Sequence, residues 1–166
     1  MKPELVALDV NGDVRYVPIT GLQSLADVLR QEVHLTSVKV GCAEGYCGSC
    51  TVLLDGEPVV SCLMPAIACE GREVRTVDEP GELSGLQADL QRELCESDAV
   101  QCGMCIPGIV TLMSALIHQG EIRSAADISP ALVGSICRCS GYARIVDAVE
   151  RVRAAHAGAL HREGSS

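Results

Sequence analysis

GCAEGYCGSC, from Gly41 to Cys50, places three cysteines within nine residues and sets three glycines beside them. Cys42, Cys47 and Cys50 have the C-x4-C-x2-C spacing of a plant-type [2Fe-2S] run, which needs a fourth thiolate further along the chain. Cys62 is the natural candidate, because it follows a hairpin predicted over Thr51 to Ser61. Cys69 competes with it for that place. The glycines have a physical reason. A thiolate-ligated cluster is anionic, and a loop that wraps it with backbone N–H groups needs close approach and positive φ. The competing occupant is structural zinc. Zinc favours paired C-x2-C knuckles, which the four-residue gap does not offer.

Further along lie QCGMC, with Cys102 and Cys105, and CRC, with Cys137 and Cys139. Together they supply four thiolates, again enough for a [2Fe-2S] cluster. Both pairs precede helical runs, whose N-terminal N–H groups and partial positive charge suit an anionic centre. Read without the first loop, this set would serve zinc as well. Cys69 and Cys95 are then read as small buried hydrophobes.

The rest of the composition narrows the function. Of 166 residues, 48% are hydrophobic, so the chain buries a core; with three Tyr and no Phe or Trp, that core is aliphatic. A net charge of -9 argues against nucleic acid, which is bound through clustered Lys and Arg. No apolar stretch approaches the roughly 18 residues of a membrane span. The N-terminal MKPELVALDVNGD turns acidic too early for a signal peptide, and no twin-arginine signal precedes it. The expectation is a cytoplasmic protein. Ten cysteines in a reducing compartment point to metal or chemistry rather than disulfides.

The chain divides near residue 80. Glu4 to Val10 and Val14 to Ile19 read as strands around the hairpin turn Asn11-Gly12. LQSLADVLRQ follows as a helix with Leu22, Leu25, Ala26 and Leu29 on one face. Thr51 to Leu54, Val59-Val60 and Glu73 to Val77 complete a small sheet packed on that helix. DEPGELSG, Asp78 to Gly85, reads as a linker or exposed turn. From Leu86 the periodicity is helical. Gly108 to Gln119 forms one helix; Ser129-Pro130 reads as an N-cap with Pro at the first position of another. Gly141 to Ala155 carries a stripe of Ile145, Val146, Val149 and Val152, and the tail from Gly158 is expected to fray. The fold class is α+β, with a sheet domain over 1–79 and a helical domain over 80–166.

The four histidines, His34, His118, His156 and His161, have no ligand spacing and are read as structural or exposed. Arg138, between two candidate ligands, would raise a nearby cluster's potential, meet an acidic partner, or simply face solvent. Tyr46 would shield the first loop or face water. Gly103, Pro107 and Gly108 are expected to shape a helix start. No Ser–His–Asp set, phosphate loop or paired-carboxylate site emerges, so the chain by itself is expected to do no bond-making chemistry.

GCAEGYCGSCTVLLDGEPVVSC, followed by QCGMCIPG and CRCSGYARIVDAV, resembles the iron–sulfur subunit of the molybdenum hydroxylases, the xanthine dehydrogenase and aldehyde oxidase family. The resemblance covers nearly the whole chain. It implies a β-grasp, plant-ferredoxin-like domain followed by a four-helix bundle. It implies that Cys42, Cys47, Cys50 and Cys62 hold an outer cluster, and that Cys102, Cys105, Cys137 and Cys139 hold an inner one. It places Gln101 and Cys139 against the molybdopterin of a large subunit, and the outer cluster toward the FAD of a medium subunit. Electrons would pass from molybdenum through both clusters to FAD. Val100 and Ser135 depart from the family's frequent Phe and Asn without removing a ligand. The chain ends without a fused flavin or molybdenum domain, as a separate small subunit would. Small subunits of carbon monoxide dehydrogenases and aryl-CoA reductases share the pattern. A zinc-stabilised interaction module and a free-standing two-cluster ferredoxin are the readings outside it.

Overall fold

The computed structural model describes residues 2–163. Two strands, β1 (Glu4–Val10) and β2 (Asp13–Ile19), form the first hairpin, with Val10 opposite Asp13. Asn11 and Gly12 both take positive φ, 55° and 84°, as a two-residue turn between twisted strands requires. The Asn11 side chain then reaches across to Thr76, accepting from its N at 2.8 Å and donating to its Oγ1 at 3.0 Å. The hairpin turn is thereby fastened to the strand β5 (Glu73–Arg75), which runs parallel to β1.

β3 (Thr51–Leu54) and β4 (Glu57–Val60) form the second hairpin, and the sheet order is β2-β1-β5-β3-β4. Helix α1 (Leu25–Gln31) covers one face, with Ser24 as N-cap accepting from the Asp27 amide. Leu25, Ala26, Val28 and Leu29 are buried there against Val6, Leu8, Val52 and Leu54. Leu22 does not join that face. It precedes the helix and is 82% exposed; Val28 takes the buried position instead.

Four helices follow: α2 (Ser84–Glu96), α3 (Ile106–His118), α4 (Ala125–Ala131) and α5 (Ala143–Glu163). Their common core is aliphatic, built on Leu90, Leu94, Ile109, Met113, Ile128, Ile145 and Val149. Each fully buried side chain of this kind contributes about 1.5–3 kcal/mol. α3 also lies on β3, so β3 is buried on both faces. Val52 and Leu54 face the α1 core while Leu53 meets Leu83 and Ala115. That double burial is why TVLL is a run of apolar residues rather than an alternation.

Two expectations are corrected. The DEPGELSG stretch is not merely exposed linker: Glu79 and Leu83 are buried, and Arg75 donates to Glu79 at 2.6 Å and to Glu73 at 2.7 Å. Burial pushes the Glu79 carboxyl up, against the pull of Arg75. Ser129-Pro130 does not start a helix. α4 begins earlier, on a capping box between Ser124 and Asp127, and Pro130 sits inside its last turn. Pro130 has no N–H to give to the Ala126 carbonyl, and the helix ends one residue later, at Ala131, and passes into a 3-10 turn, Leu132–Gly134. α5 runs through Glu163; residues 164–166, in the tail where fraying is expected, lie outside the described residues.

Candidate metal centres

The cysteine loop of residues 41–50 has no regular structure and runs into β3. In the β3–β4 register Thr51 opposes Val60, so Cys50 and Cys62 emerge from the same end of the hairpin. Ser61 holds that end together, its hydroxyl donating to the Cys50 carbonyl at 2.6 Å. Ala43 (φ 57°) curls the loop so that the Glu44 amide donates to Cys42 Sγ at 3.3 Å. The amides of Glu44 and Cys47 hold the Cys42 thiol down at about 7. Burial, and then the Cys50 thiol beside it, push Cys62 up to about 11, with Cys42 adding to the push. The four thiols therefore share one nest, Cys42 beside Cys47 and Cys50 beside Cys62. Cys69 is outside it, fully buried in the sheet core with its Sγ turned to the Pro65 carbonyl.

The second nest is assembled from two distant segments. Cys105 caps α3 and is 6% exposed, while Cys102 is exposed just before it. Pro107 and Gly108 lie in the first turn of α3, where the sequence places them. Cys137 and Cys139 follow the 3-10 turn. Cys139 Sγ lies 3.5 Å from Cys102 Sγ. Burial, and then the Cys137 thiol, push Cys105 up to about 12. The Met104 amide and the Cys139 thiol lower Cys102, while Cys102 in turn raises Cys139. At Cys137 burial acts upward, but the Ser140 hydroxyl and the Ser140 and Cys139 amides outweigh it, and the thiol is lowered. Gln101 Nε2 donates to the Cys139 carbonyl at 3.1 Å, so the two residues that the resemblance names together are bonded to each other. A cleft of about 490 Å³ opens beside Cys102, lined by Arg30, Lys39 and Met104.

Backbone contact joins the nests. Ile136 N donates to the Cys47 carbonyl at 2.9 Å. Gly48 and Gly108 make the contact possible: a Cβ on Gly48 would overlap the Gly134 carbonyl oxygen, and one on Gly108 would overlap that of Gly48. Gly48 also needs its positive φ of 68°.

Other candidates resolve simply. His156 pairs with Asp89 at 2.9 Å and His118 approaches Glu82 at 3.6 Å; His34 takes positive φ in a loop, and the His161 side chain lies outside the described residues. Tyr46 and Arg138 are exposed. Cys95 is exposed on α2, correcting its reading as a buried hydrophobe. Sequence reasoning missed Ser140 and Tyr142, which bond around Cys137; the SGY that follows CRC was their only signal. Among the described residues, no three Cys, His, Asp or Glu side chains group as a single-ion site, and no helix is long and apolar enough to cross a membrane.

Residues 8–69 match the 2Fe-2S iron-sulfur cluster binding domain, and residues 76–150 match the [2Fe-2S] binding domain. The chain is 40% identical over 155 residues to the caffeine dehydrogenase subunit gamma of Pseudomonas sp. (strain CBB1), covering 92% of each. It is 40% identical over 146 residues to the nicotine 6-hydroxylase small subunit of Paenarthrobacter nicotinovorans, covering 87% of this chain and 86% of that one. Quinoline 2-oxidoreductase from Pseudomonas putida 86 superposes with a TM-score of 0.85 at 32% identity, over 96% of this chain and 98% of that chain. This chain is an iron–sulfur subunit of the molybdenum hydroxylase family. As a member it binds [2Fe-2S] and serves electron transfer in an oxidoreductase. Within that family, the aldehyde oxidoreductase from Desulfovibrio desulfuricans ATCC 27774 is 36% identical, with a TM-score of 0.82 over 95% of this chain and 17% of that one. The same unit thus occurs both as a separate chain and as part of a longer one.

Proposed function

We propose that this chain conducts electrons between a molybdopterin-binding large subunit and an FAD-binding medium subunit through two [2Fe-2S] clusters. Residues 1–79 form the β-grasp, ferredoxin-like domain with the outer cluster on Cys42, Cys47, Cys50 and Cys62. Residues 80–166 form the helical domain, a four-helix bundle, with the inner cluster on Cys102, Cys105, Cys137 and Cys139. The observation that carries this reading is the pairing of thiols. Each nest presents two close pairs, and a [2Fe-2S] cluster takes its four thiolates as two per iron.

When bound, the clusters supply one-electron redox steps. The chain's own part is to fix, insulate and connect them. Cys50 and Cys105 are buried in their domain cores, which anchors each cluster to a rigid element. The Ile136–Cys47 hydrogen bond places the backbone beside Cys137 in bonded contact with the residue that holds the outer cluster. Cys102, Cys139 and Gln101 are exposed, and this is the face that meets the pterin. Caffeine, nicotine and quinoline, named for the relatives above, are all N-heterocycles. The complex is therefore proposed to hydroxylate an N-heteroaromatic or purine carbon, with the substrate pocket in the large subunit. The setting is proposed to be cytoplasmic.

Metal and acid-labile sulfide analysis of the purified protein tests the reading. Two irons and two sulfides per cluster are expected, with molybdenum and flavin in the co-purifying subunits. Stoichiometric zinc in a colourless chain would contradict it.

A further inference from the structure

The two nests differ in what donates to their sulfurs. At Cys42 the donor is a backbone amide. At Cys137 there is a side chain as well. Ser140 Oγ lies 3.1 Å from Cys137 Sγ, and Ser140 N lies 3.5 Å from it. Ser140 Oγ is itself an acceptor, taking the Tyr142 N–H at 3.2 Å. The hydroxyl proton is then free to point at the sulfur, and a thiolate there can only accept.

The backbone is strained to build this chain of donors. Gly141 and Tyr142 both take left-handed φ, 66° and 69°. For a bulky residue such as Tyr142 that conformation is an outlier. It turns the Tyr142 amide back onto Ser140. The Tyr142 phenol fixes the other side: it accepts from Cys137 N at 2.8 Å and donates to the carbonyl of buried Ser135 at 3.0 Å. The Cys137 amide is thereby occupied, leaving Ser140 as the adjustable donor to that sulfur.

We propose that Ser140 is a positioning residue that sets the redox potential of the inner cluster, its hydroxyl donating to the Cys137 sulfur within the relay Tyr142 N–H to Ser140 O–H to Cys137 Sγ. This rests on the assignment of the inner cluster to Cys102, Cys105, Cys137 and Cys139. Reduction adds negative charge to the cluster, so a donor aimed at a ligand sulfur stabilises the reduced form and raises the potential. The preceding N–H polarises the hydroxyl and strengthens the donation. Among the described residues, no hydroxyl bonds to the sulfur of Cys42, Cys47, Cys50 or Cys62. Substitution of one side chain therefore reaches the inner potential without reaching the outer one.

The test is an EPR-monitored redox titration of the assembled protein, with deuterium-exchange ENDOR, on wild type, Ser140→Ala and Ser140→Thr. In S140A the inner potential is expected to fall while the outer stays, and one exchangeable proton coupling is lost. In S140T both are restored. An unchanged inner potential in S140A, or the same shift in S140A and S140T, would overturn the proposal. Should S140A lose the inner cluster, S140T decides: a wild-type potential there supports the hydroxyl's role, and a lost or shifted cluster overturns it. If wild type shows no [2Fe-2S] signal, the cluster assignment itself fails, and the proposal falls with it.

Discussion

The first cysteine nest is made by one continuous stretch and the hairpin next to it; the second joins segments 37 residues apart. In the first, local turn geometry brings the thiols together, and backbone amides face them. In the second, Cys102 meets Cys139 only through the packing of the helical domain, and side chains do part of the work. The difference separates two kinds of sensitivity. The first nest answers to changes in backbone conformation. The second answers also to changes in packing and in single polar side chains.

The largest effect expected from this comparison is on electron flow. Cys102→Ser should abolish flavin reduction by substrate in the assembled complex while leaving the outer cluster's visible spectrum; stopped-flow absorbance checks both. Loss of the outer spectrum alone would mean that the two nests are assigned the wrong way round. Next, Gly48→Ala strikes the junction. A left-handed φ costs a non-glycine residue about 1–2 kcal/mol and overlap in a packed site about 1–3 kcal/mol, so roughly 2–5 kcal/mol should be lost in denaturant unfolding. Gly12→Ala, with open space around it, should cost only the strain. Leu90→Ala should cost about 2–5 kcal/mol and loosen the inner nest before the outer, read as earlier bleaching of the inner signal on heating.

A smaller effect is expected at Asp89, whose carboxyl is held below the usual range by the His156 hydrogen bond, and less so by Arg92. A depressed folded pKa contributes stability above the unfolded value, about 3.9, that is lost as pH falls through the folded value. Asp89→Asn should remove that acid dependence, worth about 0.5 kcal/mol at this half-exposed site, in thermal melts between neutral and strongly acid pH. Smallest of all, Cys69→Ser should leave both cluster spectra intact, because its thiol points into the sheet core. If it removed one, Cys62 would not be the fourth ligand.

Much of the first half was legible because its signals are local. Asn11-Gly12 demanded its hairpin, and the hairpin expected over Thr51 to Ser61 turns at Asp55-Gly56, with φ of 52° and 86°. C-x4-C-x2-C announced its own nest. The misreadings came where tertiary contact overrides a local sign. Leu22 has helical spacing but lies before the N-cap Ser24, so its position on the face was never formed. Ser129-Pro130 carries the chemistry of a helix start, yet Ser124 and Asp127 cap first, and Pro130 falls in the last turn of the helix they start. Glu79 reads as linker charge, but Arg75 draws it into the seam. The convergence of Cys102 with Cys139, and the role of Gly48 and Gly108 as a crossing point, depend on how α3 lies on β3, which no single stretch encodes.

The central claim is two separate [2Fe-2S] clusters on two separate thiol quartets. EPR of the dithionite-reduced protein, compared across wild type, Cys42→Ser and Cys137→Ser, tests it most directly. The account predicts two distinct signals in wild type, with each variant losing a different one. A single signal in wild type, or both variants losing the same one, would contradict it.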